Sequence, residues 1–215
     1  MKTVLITGSR GFVGSALADH LRSRGYRVKD CLVRLNHFNS LEQIFDSAGP
    51  DIVVHLAAKV DKIRAGHEQD DFFEVNVMGT LNVIRLCLKH KAKLIYFSSA
   101  LVRHSRNKYG NKYGISKALA EDLVWSFTKN QGLKAITIRP CTIYKNVGGA
   151  NINRFWKEED ISKGEWYSLE RICVLVEKII RNEDFEKYKI YKTRSITHYF
   201  NFLKTIPKRI LSYLK

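Results

Sequence analysis

The segment Thr7-Gly8-Ser9-Arg10-Gly11-Phe12-Val13-Gly14 constrains this chain more than any other stretch. It follows the short β-rich run Thr3-Val-Leu-Ile6 and leads into Val13, Leu17 and Leu21, spaced four apart before Gly25, so the region reads as strand, glycine turn, helix and C-cap. That context is what gives a GxxGxxG spacing its meaning. Gly8 permits the tight turn, Gly11 lets a pyrophosphate approach the backbone, and Gly14 allows helix and strand to pack closely. The helix N-terminus adds unpaired N–H groups and a partial positive charge, both suited to phosphate. A dinucleotide-binding turn built from Gly8, Ser9, Arg10, Gly11, Phe12, Val13 and Gly14 is therefore expected.

The rest of the chain supports an α/β architecture. Arg27 to Val33 is a second β-like run, broken by Lys29 and Asp30, and Ser40 to Phe45 reads as a short helix opened by a serine cap. Asp51-Ile-Val-Val-His-Leu56 is a strong strand; His55 within it reads as a packing residue rather than a ligand. Helical spacing of Phe72, Val75, Leu81, Ile84 and Leu88 predicts a helix over 70–90, before the strand Leu94-Ile-Tyr-Phe97. A helix over 115–129, with Leu119 and Leu123 inward, precedes Ala135-Ile-Thr-Ile138, and Arg139-Pro140 ends that strand because proline has no N–H to donate. Strands alternating with helices imply right-handed crossovers and a parallel sheet covered on both faces. Past Tyr144 the apolar signal thins through 145–163, which reads as a loop or lid. Leu169, Cys173, Val176 and Ile180 mark a further helix, and 188–191 a strand. The tail places Tyr199, Leu203, Ile206, Ile210 and Leu214 on one stripe that Pro207 divides.

Composition narrows the class. A length of 215 residues suits one core, and an apolar fraction of 45% is enough to bury it. Cys31, Cys87, Cys141 and Cys173 lie far apart with no CxxC, so neither a metal site nor a disulfide framework is expected. A reducing, cytoplasmic setting fits. The opening VLITG is too short for a signal peptide, and no run approaches a transmembrane length. The net charge of +16 points to anionic partners. It is concentrated: 75–120 carries nine Lys/Arg and no Asp/Glu, and 187–215 carries eight and none. No RNA-binding signature accompanies these runs, so nucleic acid is not expected. The tail 198–215 has three readings: docking on the domain, pairing of protomers, or peripheral contact with an anionic membrane.

Tyr113-Gly-Ile-Ser-Lys117 sets a phenol and an ammonium one helical turn apart. A phenol that titrates near pH 10 is a poor acid–base group at neutral pH, and a neighbouring cation favours its ionised form. Ser99, at the C-terminal end of a sheet strand, can hold a carbonyl or alcohol oxygen. Ser99, Tyr113 and Lys117 are therefore the candidate catalytic groups, a role that the family resemblance described next implies for them. Arg10 and Arg34 suit a 2′-phosphate and so NADP; Asp30 is the competing signal, able to accept from a ribose hydroxyl and favour NAD if the second strand ends early.

These pieces, TGSRGFVG (7–14), PDIVVHLAA (50–58), NVMGT (76–80), IYFSS (95–99), YGISK (113–117) and IRPCTIY (138–144), resemble the extended short-chain dehydrogenase/reductases, the NAD-dependent epimerase/dehydratase group acting on nucleotide sugars. SRGFVGSAL, the strand end at Arg34 and HLAAKV look similar to the GDP-L-fucose synthase branch. The resemblance implies a Rossmann-type doubly wound parallel sheet over 1–144, a reduced substrate-binding region over 145–197 and a basic tail over 198–215. It also implies that Leu56, Ala57, Ala58, Asn76, Arg139 and Pro140 attend the cofactor, and that Lys59, Ser99 and Ala100 meet the substrate. The activity it implies is hydride transfer at a sugar carbon, in an oxidoreductase or epimerase of polysaccharide biosynthesis working as a homodimer. No Asp-Glu pair follows Ser99, which favours epimerase or reductase over dehydratase. Two departures favour a second reading, a cofactor-binding scaffold or sensor. The stretch from Ser99 to Tyr113 is short, and most of the region that sets sugar specificity is missing.

Overall fold

The computed structural model describes residues 1–60, 71–104, 112–147, 150–152 and 166–193, with no side-chain account of Arg103, His104, 146–147, 150–152 or Trp166. Its centre is a six-stranded parallel sheet made of β1 (Thr3–Thr7), β2 (Arg27–Cys31), β3 (Ile52–His55), β4 (Lys93–Phe97), β5 (Ala135–Arg139) and β9 (Lys189–Lys192). The order is β2-β1-β3-β4-β5-β9. Strands covered on both faces must be apolar throughout, and β1 and β3 are buried along their whole length. Lys29 and Asp30 fit for the opposite reason: β2 is an edge strand, and both side chains are exposed. It ends at Cys31, two residues before the sequence signal does, because only β1 is there to pair with it.

Side chains alternate between two helical layers. Val4, Ile6, Val54, Ile95 and Ile138 face α1 (Phe12–Ser23) and α5 (Leu169–Asn182), which contribute Leu17, Leu21, Ile172, Val176 and Ile180. Leu5, Val53, Leu94, Tyr96 and Ala135 face α2 (Phe38–Ala48), α3 (Gly79–Lys89) and α4 (Lys112–Asn130). Each fully buried Leu or Ile contributes roughly 1.5–3 kcal/mol, so this two-sided core supplies most of the favourable term in folding. Glu177 fastens α5 to α1 by accepting from His20 at 2.8 Å, and Arg181 of its own helix holds the carboxylate in place at 2.6 Å. Thus α5 and β9, although they lie beyond residue 144, build onto the main sheet.

Three expectations need correction. α2 starts at Phe38, not Ser40, because a turn in which the His37 N–H donates to the Arg34 carbonyl delivers the chain early; the N-cap is His37, with no side-chain cap. Leu119 does not point inward but is 42% exposed, because the buried stripe of α4 is Gly114, Ser116, Lys117, Ala120, Glu121 and Val124. Residues after Tyr144 are not all loop: β6 (Thr142–Val147) pairs with β7 (Ala150–Ile152) as a hairpin and with β8 (Trp166–Ser168) in parallel, forming a second, three-stranded sheet. These strands are too short to show a hydrophobic period. Residues 153–165, the basic stretch 105–111 and the tail 194–215 lie outside the described residues.

Candidate active site

The chain order turns one way from β1 to β2 and the other way to β3, so a crevice opens beyond the C-terminal ends of β1 and β3. The glycine turn lies at that point. Gly8 has φ +73°, and a Cβ on it would fall 2.8 Å from the Ala57 nitrogen; a Cβ on Gly14 would fall 2.1 Å from the Gly8 carbonyl oxygen. Turn, helix and strand end are therefore pressed together more closely than any side chain permits. Ser9 has a buried hydroxyl with no partner among the described residues, and α1 begins at N-cap Gly11 with no capping side chain and no acid in its first turn. A helix start left open in this way, with Phe12 and Val13 half-buried beside it, suits a pyrophosphate. The residues present fit a dinucleotide. Arg10 and Arg34 are both exposed, whereas Asp30 is taken by Arg22 at 2.6 Å.

The turn continues into a polar chain beneath the crevice floor. Leu56, Ala57 and Ala58 are half-buried after β3. The Ala57 N–H donates to the Thr7 hydroxyl at 3.2 Å, and Thr7 lies 2.7 Å from Nδ1 of His55. His55 Nε2 lies 2.9 Å from the Thr80 hydroxyl, which donates to the Asn76 carbonyl at 2.6 Å. Asn76 sits on a π-helical turn, Phe73–Met78, a rare geometry that recurs at functional sites. Its carboxamide pairs with the backbone N–H and C=O of Lys59 at 2.7 and 3.0 Å and donates to Ser116 at 2.8 Å. Lys59 itself forms an ion pair with Asp71 and lies over the Phe72 ring.

α4 carries the two groups that the YxxxK spacing brings together. Tyr113 shares a hydrogen bond with Ser99, which draws its phenol down, but burial outweighs this and leaves the pKa raised. Lys117 is 2% exposed, with its Nζ 4.4 Å from the centre of the Tyr96 ring. Burial lowers its pKa to about 7, opposed by the Glu121 carboxylate one turn along. Burial thus governs the Tyr113 phenol in this structure, while the Lys117 ammonium lies over the Tyr96 ring within the field of Glu121. Arg139 gives its guanidinium to Glu121 through Nε and Nη2, so the side chain is committed to α4. Pro140 offers its carbonyl to the Ala100 N–H at 2.9 Å, which joins the ends of β4 and β5 under Ser99.

Glu121, Tyr96, Thr7, Thr80 and Ser116 join the site without standing out in the sequence. Glu121 has one local signal, its place four residues after Lys117; the others need the fold to bring strand ends and helices together. Among the described residues no group of three His, Cys, Asp or Glu could hold a metal ion, and all four cysteines are buried and free.

Residues 4–155 match the family described as the NAD dependent epimerase/dehydratase family. The chain belongs to that family. A UDP-glucose 4-epimerase of Mycoplasma genitalium is 27% identical over 68% of this chain and 53% of its own length. The NADP complex of dTDP-4-dehydrorhamnose reductase from Bacillus anthracis superposes with a TM-score of 0.71 at 22% identity, covering 90% of this chain and 74% of that one. UDP-glucose 4-epimerase from Thermus thermophilus, solved with NAD, gives 0.72 at 18% identity, covering 89% and 77%. At these identities the structures establish the fold of this family member. The chain spans about half the length of the curated relatives it matches. No helix among its described residues is long and apolar enough to cross a membrane.

Proposed function

We propose that this chain is an NAD(P)-dependent epimerase or reductase acting on a nucleotide sugar, with Tyr113, Lys117 and Ser99 at the reacting carbon. The observation that carries this reading is the hydrogen bond joining Ser99 to the Tyr113 phenol at the C-terminal edge of the sheet, with Lys117 one turn away. When bound, the nicotinamide supplies or accepts the hydride. Tyr113 gives or takes the hydroxyl proton at the same carbon, and Ser99 orients that oxygen. Lys117 keeps a positive charge beneath the site and eases ionisation of the phenol. Phe12, Val13, Leu56, Ala57 and Ala58 exclude water from one side, while the open start of α1 takes the pyrophosphate.

NADP is the proposed cofactor, with NAD as the alternative, because Arg10 and Arg34 are exposed and Asp30 is paired with Arg22. Fluorescence titration should show NADPH binding more tightly than NADH. Arg34→Ala should remove most of that preference, and equal affinities in the native protein would assign NAD. A homodimer is also proposed. The exposed faces of Ile115, Leu119 and Trp125 on α4 support it, and sedimentation should give twice the monomer mass.

A second reading, a cofactor-binding scaffold, is favoured by the Tyr113 phenol, which burial leaves raised. Turnover that survives in the native protein and disappears in Tyr113→Phe excludes it.

A further inference from the structure

Four side chains beneath the crevice have all their hydrogens accounted for, and together they fix the state of one of them. Thr7, His55, Asn76 and Thr80 are each at most 1% exposed, so water does not share their bonds. A threonine hydroxyl has one hydrogen to give. Thr80 gives its hydrogen to the Asn76 carbonyl at 2.6 Å, so across the 2.9 Å contact with His55 it can only accept. Nε2 must then carry the imidazole hydrogen. Nδ1 is left with its lone pair, and Thr7 donates to it at 2.7 Å while accepting the Ala57 N–H. The direction of every bond from Ala57 to Asn76 is thereby set.

The surroundings agree with a neutral ring. The His55 and Tyr96 rings lie 5.7 Å apart, and the Lys117 ammonium sits over Tyr96, so a charged imidazolium would face a buried cation, and among the described residues no carboxylate bonds to it. Burial and that ammonium together push the His55 pKa down to about 3. From Asn76 the chain of bonds goes on through its carboxamide to Ser116, whose hydroxyl donates to the Tyr113 carbonyl at 2.8 Å.

We propose that His55, held as the neutral Nε2–H tautomer between Thr7 and Thr80, is a positioning residue that ties the cofactor-side turn at Ala57 to Asn76 and, through Ser116, to the backbone of Tyr113. It touches neither cofactor nor substrate. Its functional consequence rests on the dinucleotide reading above; its tautomeric state does not. A glutamine at 55 offers an acceptor at one end and a donor at the other, whereas a leucine of similar bulk offers neither.

Nitrogen-15 NMR of histidine-labelled protein at pH 7 reads the tautomer directly, and fluorescence titration with NADPH reads the consequence. The expected result is one imidazole protonated at Nε2 only, assigned to His55 by its loss in His55→Gln. Thr80→Val, which removes the acceptor, should abolish the single-tautomer signature. His55→Leu should weaken NADPH binding about tenfold, and His55→Gln should restore it to within about threefold of the native value; displacing a reacting group by about 1 Å can cost a hundredfold in rate, so kcat should fall further than affinity. Should His55→Leu fail to fold, Thr80→Val carries the same binding test. A signal protonated at Nδ1, or native NADPH affinity in both His55→Leu and Thr80→Val, overturns the proposal. If the native protein binds neither NADPH nor NADH, the reading under Proposed function fails, while the NMR result still decides the tautomer.

Discussion

The Lys117 ammonium lies 4.4 Å from the centre of the Tyr96 ring, buried in the layer between α4 and β4. A desolvated cation over an aromatic face recovers part of its lost hydration, but not all of it. The residual cost appears as a pKa lowered to about 7. Poised there, Lys117 changes charge near physiological pH, and the charge it carries is what the proposed Tyr113 chemistry needs.

Lys117→Met should therefore give a more stable protein that has lost activity. In the native state the ammonium is penalised below about pH 7; between there and the unfolded value of 10.5 the unfolded chain binds more protons, so native stability rises with pH over that window. At pH 6 the variant should be more stable by about 3–5 kcal/mol at most, since each tenfold loss of proton affinity on folding costs about 1.4 kcal/mol, and its advantage should shrink toward pH 10. Denaturant melts at the two pH values check this; a variant less stable than native at pH 6 contradicts it.

Glu121 is the group that holds the Lys117 charge in place. Replacing it with glutamine removes a carboxylate that raises the lysine pKa, so the ammonium should deprotonate at lower pH. The alkaline limb of the pH–rate profile should move to lower pH, with the cofactor Kd little changed. An unshifted limb would mean that Arg139 neutralises Glu121 completely.

Gly14→Ala places a methyl 2.1 Å from the Gly8 carbonyl oxygen, a clash with backbone that no rotamer relieves. Overpacking of this kind costs about 1–3 kcal/mol, and the glycine turn should open to accommodate it. A lower Tm together with at least a tenfold loss of dinucleotide affinity is expected; native-like binding would show that the turn is not where the phosphates sit.

His55 predicts an acid sensitivity. Its pKa falls from 6.5 to about 3 in the native state, so below pH 6.5 the unfolded chain takes a proton that the folded one refuses, and stability drops as pH falls toward 3. His55→Gln has no such proton to take. Melts between pH 6.5 and 4 should show a shallower decline for the variant, and parallel curves would contradict the assignment.

The residues legible in the sequence are those whose signal is local. Ile52–His55 and Ala135–Arg139 announce themselves as apolar runs, the glycines of 7–14 by their spacing, and Tyr113 and Lys117 by theirs. The inner face of α4 misleads because it buries charged side chains among its packing residues: Lys117 and Glu121 are buried beside Ala120 and Val124, where apolar periodicity points to Leu119. The bond from Arg139 to Glu121 spans 18 residues, and the contact of Thr7 with His55 spans 48. Neither leaves a periodic trace, because each exists only once β1, β3 and β5 lie beside their helices. The hairpin of β6 and β7 is hidden by its brevity.

The central claim is that Tyr113 exchanges a proton at the carbon where hydride is transferred, and rapid-mixing absorbance at 340 nm tests it most directly. Native protein loaded with NADPH or NADP should show a change with at least one sugar linked to UDP, dTDP or GDP, and Tyr113→Phe should slow that change by about a hundredfold or more while binding the cofactor as tightly. Equal rates in the two proteins, or a bound cofactor that no nucleotide sugar oxidises or reduces, would contradict the account.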